Sequence, residues 1–282
     1  MVFGNQWLDS SLFGLLGLLI GSFINVVIYR LPKMLERQWA NECAEFSGQP
    51  VVQSPAFNLI VPRSRCSHCG HQIPWYENIP VLSYIALLGK CSECKVVIGL
   101  RYPAVEISTG LLFFASVWQS SGFPYTGLMW CVFSAVLLAL ALIDWDTTLL
   151  PDDLTLPLLW LGVVGAAMNW IPTSLHSSVW GAVWGYLSLW SVYWLFKIAT
   201  GKEGMGYGDF KLLAALGAWF GWQALIPIVL YSSVLGAIVG IGMKFTSGLR
   251  EGGYIPFGPF LAGAGLATLL WGSKPLMQLI GL

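Results

Sequence analysis

The sequence predicts an all-α polytopic membrane protein with about eight transmembrane helices and one long loop outside the bilayer. Its 282 residues are 56% apolar and only 10% charged, whereas an ordinary soluble domain carries about 25% charged residues. Its apolar stretches are also long enough to cross a bilayer, which takes about 20 residues. The chain therefore has too few charges to cover a surface that faces water, and its net charge of zero gives no indication of a nucleic-acid partner.

Apolar stretches supply the predicted helices in chain order. Leu8–Tyr29 and Tyr254–Gly272 are long enough for one helix each. The stretches between them are Pro103–Ile143, Leu154–Phe196 and Leu212–Met243, and each is long enough for two helices. Breaks are expected inside these stretches at residues 119–124, at residues 171–176 and, more weakly, around Gly221.

The basic residues predict the orientation of the chain. With the N-terminus outside, the segments 30–102, 144–153, 197–211 and 244–253 face the cytoplasm. These segments contain every Lys and Arg except Lys274. Because cytoplasmic loops are enriched in Lys and Arg, this orientation is the expected one.

The long loop 30–102 contains two paired-cysteine motifs, Cys66-Ser-His-Cys69 and Cys91-Ser-Glu-Cys94. Two such knuckles typically supply four thiolates to a structural zinc ion. Disulfides are the alternative, but a reducing cytoplasm disfavours them. His68 and His71 are not expected to be ligands. Cys43 and Cys131 are interpreted as small buried hydrophobic residues, and residues 35–58 carry no clear secondary-structure signal.

Acidic residues cluster where two predicted helices meet the cytoplasmic face. One cluster contains Asp144, Asp146, Asp152 and Asp153, and the other contains Asp209 within a glycine-rich segment. Charges against a bilayer cost about 2.5–3.5 kcal/mol at a helix centre, so they indicate function. The alternative is that these acids are only solvated by water and have no catalytic role. This alternative suits Asp152 and Asp153, which directly precede the next helix and would cap it or interact favourably with its dipole.

Two carboxylates at one site cannot both ionise cheaply, so one keeps its proton. The ionised one can then activate water for attack on a peptide carbonyl while the protonated one donates to the developing oxyanion. This chemistry predicts an aspartyl protease. A transporter using the same acids is an alternative, although the sequence shows no convincing internal repeat. A membrane methyltransferase without protease activity is a second alternative.

These residues together resemble the type IV prepilin peptidases, bifunctional membrane enzymes that also methylate their product. The resemblance covers nearly the whole chain. It is carried by Gly21–Pro32, the two cysteine pairs, Pro74–Pro80, Leu100–Glu106, the two aspartate motifs and Tyr254–Pro259. The Gly-x-Gly-Asp element, Gly206 to Asp209, also occurs in other intramembrane aspartyl proteases, so it is specific only in combination with the cysteine loop.

The resemblance implies which residues act. The first catalytic aspartate of the family stands seven residues before the proline of the Asp…Leu-Pro element, and counting back from Pro151 gives Asp144 rather than Asp146. Asp209 is the second. Gly89 and Lys90 correspond to the region needed for methylation with S-adenosylmethionine, although the sequence has no glycine-rich nucleotide fingerprint of the soluble methyltransferases.

The resemblance also implies the substrates, the cellular location and the domain organisation. The expected substrates are type IV prepilins and the pseudopilins of type II secretion, cleaved at the cytoplasmic face of the bacterial inner membrane, with the N-terminus in the periplasm. The expected organisation is a first transmembrane helix at residues 1–29, a cytoplasmic loop with a four-cysteine zinc site at 30–102, and a seven-helix peptidase domain at 103–282. Oligomeric state and the roles of Cys131 and His176 are not predicted.

Overall fold

The computed structural model describes residues 5–50, 55–120, 124–245 and 255–272, and in these ranges it is helical with no strand beyond isolated β-bridges. The helices are α1 Gln6–Phe46, α2 Leu82–Ala86, α3 Arg101–Gln119, α4 Pro124–Thr147, α5 Asp152–Ala167, α6 Leu175–Thr200, α7 Tyr207–Phe220, α8 Leu225–Phe245 and α9 Gly258–Trp271. Short 3₁₀ turns lie at Trp75–Asn78 and Trp222–Ala224.

The predicted breaks coincide with helix ends. The helix α3 ends at Gln119, α5 ends at Ala167 before α6 begins at Leu175, and α7 ends before Gly221, whose φ is +82°. Within the described ranges, three helices are long and apolar enough to cross a membrane: α1, α4 and α8. The count of eight spans therefore stays a prediction. Lys274, Arg250 and Tyr254 lie outside the described residues.

The helix α1 is longer than the apolar stretch that predicted it. It begins at an N-cap, Asn5, whose side chain accepts from the backbone N–H of Trp7 at 3.0 Å. It then continues past the expected boundary at residue 29 to Phe46, through a segment whose sequence carries no clear secondary-structure signal. Gly48, with φ +67°, follows its end.

The chain divides into two compact units, residues 2–118 and residues 119–282. In the first unit, α1 and α3 approach through small residues, because a Cβ on Gly17 would lie 2.8 Å from the Cα of Gly110. Two buried charged residues attach the loop to these helices. Arg30 of α1 donates to the carbonyls of Asn58 and Pro62, and Glu106 of α3 accepts from the backbone N–H of Val81 at 2.8 Å.

In the second unit, α7 is the central element and packs against α5, α6, α8 and α9. Every residue from Leu212 to Trp219 is buried. Gly181 of α6 and Gly217 of α7 face each other so closely that a Cβ on either would overlap the other's backbone. Trp219 packs over Gly162 and donates from Nε1 to the carbonyl of Leu158 at 2.8 Å. This packing holds the start of α7, where Asp209 lies.

Candidate active site and metal centre

Asp144 lies in the last turn of α4, immediately after the fully buried Ile143. Its side chain is only 5% exposed, and its backbone carbonyl accepts from the N–H of Thr148, whose φ of +56° ends the helix. Asp146 is exposed. Burial therefore distinguishes Asp144 from Asp146, which composition and spacing alone could not do.

Asp209 lies in the first turn of α7 and is 7% exposed. The glycine-rich segment before it is extended at the N-cap Gly206, whose carbonyl accepts from the Asp209 N–H at 3.3 Å. Among the described residues, the buried Oδ1 of Asp209 has no hydrogen-bond partner. One carboxylate oxygen of Asp209 is thus left for a molecule that enters the site.

Leu150 packs against two glycines that neighbour the predicted aspartates, Gly208 in sequence and Gly258 in space. A Cβ on Gly208 would lie 2.7 Å from the Cβ of Leu150, and a Cβ on Gly258 would lie 3.2 Å from the Cδ1 of Leu150 and overlap the carboxylate of Asp144. The two acids are close enough for the charge of Asp144 to act on Asp209. The structure therefore brings both predicted aspartates into one buried site formed by α4, α7 and α9.

This arrangement suits acid–base chemistry on a neutral substrate. Two buried carboxylates that repel each other hold one proton between them over a wide pH range. Such a pair can accept a proton from water at one oxygen and donate one at another. Gly206, three residues before Asp209, has open space beside it, because a Cβ there would meet only Oδ2 of Asp209, at 4.0 Å.

Two other acidic residues of this unit, Asp152 and Glu203, have lysine partners. Lys211 Nζ lies 2.7 Å from both carboxylate oxygens of Asp152, and Lys197 Nζ lies 2.8 Å from Glu203 Oε1. The hydrogen bond from Lys197 lowers the pKa of the Glu203 carboxyl. Asp152 and Asp153 form the first turn of α5, but its N-cap residue Pro151 makes no side-chain cap bond, so of the two predicted roles only the dipole role fits.

Gly258 and Leu150 are the site residues that sequence reasoning missed. Both stand in segments that carry the family resemblance, but no spacing argument gave either a role. Their contact with the acids depends on how α9 packs against α4 and α7. The one signal in the sequence was a glycine followed by proline at the start of an apolar helix, which is also a common helix start.

The four predicted cysteine ligands form one cluster, with all their Sγ atoms within 4.8 Å of one another. Cys66 Sγ lies 3.8 Å from Cys94 Sγ, and Cys69 Sγ lies 4.0 Å from Cys91 Sγ. Tetrahedral zinc with Zn–S bonds of about 2.3 Å requires sulfurs about 3.8 Å apart. Backbone N–H groups of Cys69 and His68 lower the pKa of the Cys66 thiol to about 6, whereas burial and the neighbouring thiols raise the pKa of Cys94 to about 11.

The two cysteine pairs are built alike. Cys66 N–H donates to the carbonyl of His71 and Cys91 N–H donates to that of Val96, both at 2.9 Å. Paired β-bridges join Arg65 to Gln72 and Lys90 to Val97. Glu77 lies between the two knuckles: its Oε2 accepts from Ser92 Oγ at 2.8 Å and lies 4.0 Å from His71 Nε2. His71 is not among the four residues whose ligand atoms cluster, and His68 is exposed.

Gly89 and Lys90 begin the second knuckle. The carbonyl of Gly89 accepts from Ile98 N–H at 2.7 Å, and its φ of +68° lies in the left-handed region. A Cβ there would meet the hydroxyl of Tyr84 at 2.8 Å, so glycine is required for conformation and for space. Gly89 is buried and Lys90 is exposed.

Cys43, Cys131 and His176 belong neither to the cysteine cluster nor to the aspartate pair. Cys131 is 1% exposed within α4, which confirms the interpretation as a buried hydrophobic residue. Cys43 is exposed on the last turns of α1, so the same interpretation is wrong for Cys43. Its helix is longer than expected and carries it away from the core. His176 is exposed in the first turn of α6, with its ring 6.3 Å from that of Trp180.

Two family models match the chain. Residues 15–120 match the bacterial peptidase A24 N-terminal domain, and residues 131–241 match the type IV leader peptidase family. The first match contains the four clustered cysteines and the second contains both buried aspartates.

Similar proteins cover nearly the whole chain. This chain is 54% identical over 261 residues to a prepilin leader peptidase/N-methyltransferase of Pseudomonas aeruginosa, and the match covers 92% of this chain and 89% of that protein. It is 53% identical over 270 residues to the protein of the same name from Pseudomonas putida, with 94% and 93% covered. For that of Aeromonas hydrophila the identity is 51% over 273 residues, with 96% and 93% covered. A search of solved structures finds no match.

Proposed function

The chain belongs to the type IV leader peptidase family, and on that premise we propose that Asp144 and Asp209 are its catalytic pair. As a member of that family, it cleaves the leader from prepilins and methylates the new N-terminus. The observation that carries the assignment of the pair is that these two aspartates, and not Asp146, are buried together at the end of α4 and the start of α7.

The cleavage chemistry needs both protonation states of the pair. The ionised carboxylate takes a proton from water, and the water oxygen bonds to the carbonyl carbon of the scissile peptide. The protonated carboxyl gives its proton to the carbonyl oxygen. When the tetrahedral intermediate collapses, the C–N bond breaks and the departing amine takes a proton from the pair. Burial of both side chains strengthens these proton transfers, because water does not screen the charges.

The substrate supplies an apolar helix that can lie in the bilayer and a short basic leader. We propose that the leader is met at the cytoplasmic face by the acids around the pair, among them the exposed Asp146. Asp152 and Glu203 are already paired with lysines, so a basic leader would have to compete for them. Asp153 is exposed in the first turn of α5. Of the two acids that begin this helix, it is the better candidate for contact with the basic leader.

The membrane arrangement is proposed from the same premise. The protein is an inner-membrane protein, with candidate spans α1, α4 and α8 among its described helices. We propose eight spans, a periplasmic N-terminus, a cytoplasmic loop at residues 30–102 and a peptidase domain at 103–282. Prepilins of type IV pili and pseudopilins of type II secretion are the proposed substrates.

The methyl transfer uses S-adenosylmethionine as the donor, as the N-methyltransferase name of the relatives implies. We propose that Cys66, Cys69, Cys91 and Cys94 hold a structural zinc ion, which the sulfur spacing supports. This ion would fix the knuckle that begins at Gly89 and Lys90, the segment proposed to serve methylation.

One cleavage assay tests which of three aspartates, Asp144, Asp146 and Asp209, is required for catalysis. Purified Asp144→Ala and Asp209→Ala variants should lose cleavage of a full-length prepilin while still methylating a leaderless pilin with labelled S-adenosylmethionine. Asp146→Ala is the matched control, and it should retain most of the cleavage rate because its side chain is exposed. Cleavage by either of the first two variants would reject the catalytic pair.

A further inference from the structure

Gly258 is the first residue of α9 and has no room for a side chain. A Cβ at this position would overlap Oδ2 of Asp144, would lie 3.1 Å from its Cγ, and would lie 3.2 Å from the Cδ1 of Leu150. Gly258 is itself buried. The carboxylate of Asp144 thus lies directly against the backbone at the start of α9.

A positive φ does not explain the glycine. Gly258 is the first residue of a helix, whereas Gly221 and Gly272, which end α7 and α9, have φ of +82° and +81°. Pro259 follows Gly258 and disfavours the helical conformation of a preceding residue that has a Cβ, so conformation contributes to the preference for glycine. Space contributes as well, and the group that occupies the space is the carboxylate of Asp144.

The start of α9 is also a favourable place for a negative charge. The N-terminus of a helix carries a partial positive charge and stabilises nearby anions. The N-cap residue Phe257 has no side-chain oxygen to offer, and α9 has no charged residue along its length. The buried carboxylate of Asp144 lies at this end of α9, and Asp209 lies at the corresponding end of α7.

We propose that Gly258 is a positioning residue for cleavage, which seats the Asp144 carboxylate against the first turn of α9. This proposal rests on the assignment of Asp144 and Asp209 as the catalytic pair. One carboxylate of the pair takes the proton from the attacking water, whose oxygen bonds to the carbonyl carbon, and the other gives its proton to the carbonyl oxygen. Both transfers require the Asp144 carboxylate to be held in place.

The test compares two glycines of the same helix. Gly258→Ala would push the Asp144 carboxylate out of place, and a displacement near 1 Å can cost on the order of 100-fold in rate. We expect kcat for prepilin cleavage to fall by about that factor, with KM and methylation of a leaderless pilin unchanged. Gly263→Ala is the matched control, because a Cβ there would meet nothing within 4 Å. It should cleave like the wild type.

A second variant tests the contact itself. Leu150→Ala removes the Cδ1 methyl group that confines the new Cβ, so Gly258→Ala should reduce the cleavage rate by a smaller factor in the Leu150→Ala background than in the wild type. Wild-type cleavage by Gly258→Ala would overturn the proposal, as would equal losses of cleavage and methylation. Cleavage by Asp144→Ala would instead reject the catalytic pair, so the two failures are distinguishable.

Discussion

Lys211 places its ammonium 2.7 Å from both carboxylate oxygens of Asp152, and this ion pair joins the start of α5 to the start of α7. Lys211 stands two residues after Asp209, one of the two proposed catalytic acids. The Asp152 side chain is 52% exposed, which limits the contribution of the pair to stability to about 0–1 kcal/mol. We expect the ion pair instead to affect the local charge that a basic leader encounters when it binds.

The ion pair between Asp152 and Lys211 is expected to influence the KM for prepilin. Asp152→Asn leaves Lys211 as an uncompensated positive charge beside the site, so KM for a basic leader should rise. Adding Lys211→Met removes that charge and should restore KM to near the wild-type value. A steady-state cleavage assay on the two single variants and the double variant measures this.

The double variant also decides what Asp152 does. If Asp152 contacted the leader directly, the double variant would stay impaired. Asp153→Asn is the comparison, because Asp153 is a neighbouring exposed acid that is not the partner of Lys211. Its KM should rise whether or not Lys211 is changed.

The pair formed by Asp144 and Asp209 predicts the pH dependence of cleavage. The reaction requires one ionised and one protonated carboxylate. Below the pH range of the pair both are protonated and the base is lost, while above it both are ionised and the acid is lost. The profile of kcat/KM against pH should therefore be bell-shaped.

Methylation provides the control for this profile. We propose that the methyl transfer does not use the aspartate pair, so its pH profile on a leaderless pilin should differ from that of cleavage. A cleavage rate that rises monotonically with pH would contradict the requirement for a protonated carboxyl.

The sequence was sufficient for features that depend on local pattern. Apolar stretches located the helices, and the breaks at Gln119, residues 171–174 and Gly221 were found because glycine, proline and polar residues interrupt them. The cysteine cluster was predictable because each knuckle is built from neighbouring residues. The extension of α1 to Phe46 was not predictable, because that segment is polar and mostly exposed and carries no apolar periodicity.

The composition of the active site depended on long-range packing. Asp144 and Asp146 are indistinguishable by distance from the helix end, and only the packing of α4 buries one and exposes the other. Gly258 reaches Asp144 because α9 packs against α4. No local pattern in residues 255–259 indicates which side chain will occupy the space over a glycine.

The four-cysteine cluster predicts the metal content of the protein. The wild-type chain should contain about one zinc ion by elemental analysis, as four thiolates with no further ligand imply. Cys91→Ser, at the most buried ligand, should lose the metal and methylation. Cleavage should persist, because both aspartates, Leu150 and Gly258 belong to the unit of residues 119–282. Cys131→Ser is the matched control and should keep the zinc.

Gly89 allows two explanations of the methylation segment to be separated. Gly89→Ala forces a left-handed backbone onto a residue with a Cβ, at a cost of about 1–2 kcal/mol, and drives that Cβ against Tyr84. We expect it to weaken zinc binding together with methylation. Gly99→Ala is the matched control, since its Cβ would meet nothing within 4 Å.

Lys90 completes this comparison because it follows Gly89 but is exposed, and the β-bridge to Val97 involves only its backbone. Lys90→Ala should therefore keep the zinc. If it loses methylation with the metal in place, the Lys90 side chain serves the reaction directly. If Gly89→Ala lost methylation while retaining full zinc affinity, the structural account of Gly89 would be wrong, and that residue would act on the methyl donor or the pilin N-terminus rather than on the knuckle.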